Sequence, residues 1–135
     1  MALTAGRDTP ARAGTQHGDP IAANVVIYQG ALVVLDASGN ARPGYTATGL
    51  LPRGRAVRTV NNAGGLAGAA IVESEAGVYR YANSAAGDAI TRAEIGDQCF
   101  IVDDETVAKT SATNTRSVAG VIVDVDALGV WVRIG

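Results

Sequence analysis

The sequence has little of what reaction chemistry usually draws on. Among 135 residues there is one cysteine, one histidine, one tryptophan and one phenylalanine, and aromatic residues make up only 4%. The lone Cys99 excludes an intrachain disulfide. It opens the apolar run Cys99-Phe100-Ile101-Val102 with no histidine or basic residue beside it to form a thiolate, so it is expected to be a small buried hydrophobe. His17 falls in a stretch without regular pattern and has no fixed neighbour with which to build an acid-base or nucleophilic set. Lys109 follows no glycine-rich turn, and Gly64-Gly65-Leu66-Ala67-Gly68 lacks the spacing of a phosphate-cradling loop. No catalytic residue, no enzymatic activity and no cofactor are expected.

Long apolar runs and a strong charge of either sign are missing too. No run approaches the roughly 18 residues of a membrane span, and the first twenty residues lack the apolar stretch of a secretion signal. A soluble, unprocessed protein made in the cytoplasm, with no membrane contact, is the expectation. The net charge is -2. The one basic cluster, Arg53-Gly54-Arg55-Ala56-Val57-Arg58, has no interleaved aromatic on which a base could stack, so nucleic acid is not an expected partner. Asp124-x-Asp126 begins like a calcium loop, but Leu128 occupies a ligand position and Gly135 stands where the bidentate Glu belongs. With Asp103-Asp104-Glu105, it is read as turn chemistry, and no metal site is expected.

What is abundant is glycine, 17 residues, together with Val, Ile, Leu and Ala in alternating patterns. In the last eighteen residues Val121, Val123 and Val125 alternate with Ile122, Asp124 and Asp126. After Ala127-Leu128-Gly129 the alternation resumes as Val130, Val132 and Ile134 against Trp131 and Arg133. A period of two, broken once by a glycine-ended turn, predicts an antiparallel hairpin with the valine set facing inward. Weaker versions begin at Ala31, Ala70 and Cys99, which gives four hairpins. Residues 25–28 and 31–35 are apolar at nearly every position, as in strands covered on both faces. Gly54 to Val60 reads as a further strand. Asn83 to Asp97 is the only helical candidate, about two turns capped by Asp88 or Thr91, with Ile90 and Ile95 packing on the sheet. The predicted fold is all-β, a small β-barrel or β-tulip of antiparallel hairpins with at most one short helix.

Residues 1–20 show neither period and carry too little apolar surface to order themselves. They are read as an extended N-terminal arm preceding a single β domain at 21–135. Up to Arg58 six arginines face three aspartates, and beyond it acidic residues outnumber basic ones ten to five. A chain polarised in this way suits contact with other protein surfaces. Leu3, Arg7, Thr9 and Arg12 are the candidate contacts in the arm, with Arg53, Arg55 and Arg58 as a second set. A different reading makes Tyr79, Tyr81 and Trp131 stacking platforms of a carbohydrate-binding barrel.

Four stretches carry a family resemblance: the opening MALTAGRDTP, VIYQGALVVLDASG from Val26, AITRAEIG from Ala89 and VAGVIVDVDALGVWVRI from Val118. Together they resemble the head decoration, or cement, proteins of tailed bacteriophages, and the likeness runs over nearly the whole chain. It implies a compact β-barrel or β-tulip body on the capsid exterior of the virion, commonly a homotrimer, tying neighbouring major capsid proteins together against internal DNA pressure. A capsid- or tail-bound base for a fibre is the alternative within the same biology. No individual functional residue transfers with the likeness, because its motifs are structural.

Overall fold

The computed structural model describes residues 1–135 as an all-β protein. In chain order the strands are β1 (Gln16–Pro20), β2 (Val26–Ile27), β3 (Leu32–Leu35), β4 (Ala41–Pro43), β5 (Leu51–Ala56), β6 (Val60–Asn61), β7 (Ile71–Glu75), β8 (Gly77–Asn83), β9 (Gln98–Ile101), β10 (Thr106–Ala108), β11 (Val118–Asp126) and β12 (Gly129–Ile134). Five of them close into a barrel in the order β10-β8-β12-β11-β9. Five others form a sheet ordered β1-β7-β5-β3-β4, and β2 pairs with β6 alone. The sheet curls far enough that Ile21, just past β1, bridges Ala41 on β4.

The continuous apolar run of β3 has its explanation here. Leu32 and Val34 point into the barrel core with Ile101, Val107, Ile122, Val130, Val132 and Ile134. Val33, on the opposite face, lies in a second core with Ile21, Ile27, Ala41, Ala56 and Val72. All three β3 residues are completely buried, because alternate side chains of one strand serve different cores. At 25 cal/mol per Å² such burial is the main stabilising contribution on both sides, and β3 makes the two cores one packed body.

The hairpins at β3–β4, β9–β10 and β11–β12 form in the antiparallel sense predicted. The one expected from Ala70 does not. β7 pairs with β1 and β5, while β8 pairs with β12 and β10. Ala76, expected in a turn, instead lets the chain pass from the sheet into the barrel. Gly54 permits the close β5–β7 approach there: its φ is +148°, and a Cβ would run into the Glu75 carbonyl. The strand expected at Gly54 to Val60 is likewise split between β5, which begins at Leu51, and β6.

The inward face of β11 also differs from the alternation. Ile122 is buried, whereas Val121 and Val123 are only partly so. Two bulges cause this. The register skips Ala119 against β9 and Val123 against β12, so the core-facing positions become Ala119 and Ile122, with Val125 packed against the core margin. Each bulge bends the strand, and a barrel of only five strands needs that curvature to close. On β12 no bulge intervenes, and Val130, Val132 and Ile134 face inward as the alternation predicts.

Residues 86–94 hold two 3-10 turns, Ala86–Asp88 and Arg92–Glu94, and no α-helix. Thr91 caps the second by accepting from the Ala93 N–H. Ile90 is buried, but Ile95 stays exposed, against expectation. No helix is long and apolar enough to cross a membrane.

Candidate interaction surface

The arm is shorter than its composition suggested. Gln16 to Pro20, expected in the arm, pair with Ile71 to Glu75 as an outer strand of the sheet. Residues 1–16 are all exposed. Leu3 is 71% exposed, and the only side-chain hydrogen bond in this segment joins Arg7 Nη1 to Thr9 Oγ1 at 3.1 Å. Its last anchor to the body is the Thr15 carbonyl, which accepts from the Ala76 N–H at 2.7 Å.

Charge is distributed unequally between arm and body. Eight basic residues, all in the body, have carboxylate partners within 4 Å. Those without one are Arg7 and Arg12 in the arm, and Arg133. The arginines of the 53–58 cluster are among the paired ones. Arg53 grips Asp19 with two hydrogen bonds, 2.8 and 3.0 Å, across the curled sheet, and both side chains are largely buried. Sequence reading missed this partner because 34 residues separate the two. Arg58 meets Glu73 at 3.2 Å in an exposed pair, which is worth little in water. Arg55 lies over the Tyr79 ring, 4.5 Å from its centroid, with Glu75 at 3.8 Å.

Tyr79, Tyr81 and Trp131 each pack against other groups of the protein. The Tyr79 face carries Arg55, and the half-buried Trp131 carries Arg80 at 5.5 Å. The Trp131 Nε1 donates to Asp126 Oδ2 at 2.9 Å. Tyr81 is buried in the barrel core, and burial raises its phenol above the ordinary value. The acidic pairs have structural roles. Asp126 Oδ1 accepts from the Leu128 and Gly129 N–H groups at the hairpin turn, and Asp124 accepts from Arg92 at 2.8 Å. Three bonds from Trp131, Leu128 and Gly129, besides the charge of Arg80, hold the Asp126 carboxyl below its usual range. Cys99 is fully buried, and burial pushes its thiol up to about 12.

His17 does acquire neighbours. It stands opposite Ser74 across β1 and β7, and its Nδ1 and the Ser74 Oγ are both buried without a hydrogen-bond partner. Burial first, then Arg53 and Arg12, lower the imidazole from its ordinary 6.5, against an opposing pull from Asp19. The unfolded chain therefore takes up this proton before the folded protein does as pH falls. Stability is expected to decline below about pH 6.5 and to level off beneath the folded value. Melting curves across that window should show the decline in the native protein and its absence in His17→Gln. An equal decline in the variant would assign it to another group.

No family model matches this chain, and no curated protein or solved structure is similar enough to count as a relative.

Proposed function

We propose that this protein is a structural component of a tailed-bacteriophage virion that decorates the capsid exterior, cross-linking neighbouring major capsid proteins as a homotrimer. The observation that carries the reading is the division of labour between body and arm. The body is a pair of cores in which eight of nine basic residues have carboxylate partners. The arm is exposed along its whole length and holds Leu3, Thr9 and two arginines without carboxylate partners. Guanidinium forks suit carboxylates on a neighbouring chain. The resemblance of the arm and of three body segments to cement proteins is the reason the proposed neighbour is a major capsid protein.

Ordering the arm costs about 1 to 2 kcal/mol per residue, so it must make several contacts on the capsid. Deleting residues 1–14 keeps the Thr15 anchor and β1. The melting temperature of the truncated protein is expected to stay within a degree or two, roughly the effect of a neutral surface change, while its cosedimentation with undecorated capsids falls sharply. Raised salt should weaken the intact protein's attachment in the same direction. Equal capsid occupancy by truncated and intact protein would refute the arm as the anchor.

A further inference from the structure

Where the chain passes from the sheet into the barrel, a hollow of about 470 Å³ opens among Gly30, Arg55, Tyr79, Arg80, Tyr81 and Trp131. Its floor includes an unpaired strand edge. β8 is laddered to β12 along Gly77–Tyr81, but on its other side β10 reaches it only at Ala82 and Asn83. The Ala82 N–H points to that side and donates to the Glu105 carbonyl. By the two-residue alternation of a strand, the N–H and C=O groups of Val78 and Arg80 point the same way, with no strand paired to them. An open edge of this kind is a template for another chain unless something covers it.

The two arginines at this edge are the most loosely held of the paired ones. Arg55–Glu75 at 3.8 Å and Arg80–Asp126 at 3.9 Å are the longest of the eight ion pairs, and neither guanidinium donates a hydrogen bond. Asp126 is already engaged by Trp131 and by its own turn. Aromatic faces hold both forks in place, which leaves their donors available at little cost in side-chain ordering. Tyr81, whose buried hydroxyl also lacks a partner, lines the same hollow. A neighbouring hollow of about 380 Å³, reached past Gly30, is bordered by Asp104 and Glu105. The groove thus runs from two loosely paired cations to two carboxylates.

We propose that this groove receives an extended acidic segment of a partner protein, added as a strand along Gly77–Tyr81 with its carboxylates on Arg55 and Arg80. Main-chain pairing supplies the docking, and the guanidinium forks select acidic side chains. The inference does not depend on the protein being part of a virion.

The test is amide NMR of the full chain with a short, terminally blocked peptide alternating Glu and Thr, beside its Lys-Thr counterpart. The acidic peptide is expected to shift the Val78 and Arg80 amides, slow their exchange and bind more weakly as salt rises. Arg55→Gln/Arg80→Gln should weaken it at least about tenfold, as expected for two charge-assisted contacts. Three results would overturn the proposal: no effect of the acidic peptide on Gly77–Tyr81, equal binding of the basic peptide, or undiminished binding by the double variant. A galacturonate oligomer that perturbs these amides when the acidic peptide does not would make the groove a saccharide site instead.

Discussion

Replacing Ile122 by aspartate is expected to unfold the protein, whereas the same change at the adjacent Val123 leaves it folded. Ile122 is 2% exposed and belongs to the barrel core. A carboxylate there loses the apolar contacts and finds no partner, a cost of several kcal/mol. That is comparable with the whole stability of an ordinary domain, about 5 to 15 kcal/mol. Val123 is the extra residue of the bulge against β12 and keeps some contact with solvent, so its substitution should cost about 1 kcal/mol or less. Circular dichroism and melting curves of the two variants decide the matter. A folded Ile122→Asp beside an unfolded Val123→Asp would restore the simple alternation and remove the bulge.

Removing the Arg53 guanidinium is expected to be the most costly change to a charged group. Arg53→Ala leaves Asp19, 8% exposed, without the two hydrogen bonds that compensate its burial. Breaking a buried pair by deleting one partner costs about 3 to 5 kcal/mol, and the lower end applies because both groups keep some solvent contact. Replacing both, as Arg53→Met with Asp19→Leu, should recover much of the loss, since the pair's own desolvation penalty disappears with it. Urea titrations of the single and double variants measure this. If Arg53→Ala were as stable as the native protein, the guanidinium would be free for an external partner. The same titrations on Arg58→Ala should show almost nothing, because that pair is exposed.

The contrast among the three clustered arginines shows where sequence reading ends. Arg53, Arg55 and Arg58 lie within six positions and read alike as cations on one strand. Their environments differ because the register skips Arg53 on β5, Arg58 lies beyond that strand, and the neighbours come from distant parts of the chain. Arg53 meets a carboxylate on β1, Arg55 an aromatic ring on β8, and Arg58 an exposed carboxylate on β7. No local pattern encodes such partners. The groove was illegible for the same reason: its two sides, Gly30 and Arg55 on one and β8 with Trp131 on the other, meet only in the folded chain.

By itself the sequence determined the all-β class, the β3–β4, β9–β10 and β11–β12 hairpins, the inward face of β12, the doubly covered β3 strand and the burial of Cys99. Each of these follows from alternation or from a turn residue within a few positions, where side-chain periodicity and backbone geometry are local properties. Only the tertiary structure decided that β7 and β8 separate into two sheets, that Ala119 and Val123 bulge and re-aim β11, and that Gln16–Pro20 leave the arm to become a strand. Those outcomes are set by closure. Five strands form a barrel only if one of them bends, and the curled sheet covers its core by pairing an outer strand, whose Asp19 is then neutralised by Arg53. Both features belong to the assembled strands and to none of them alone.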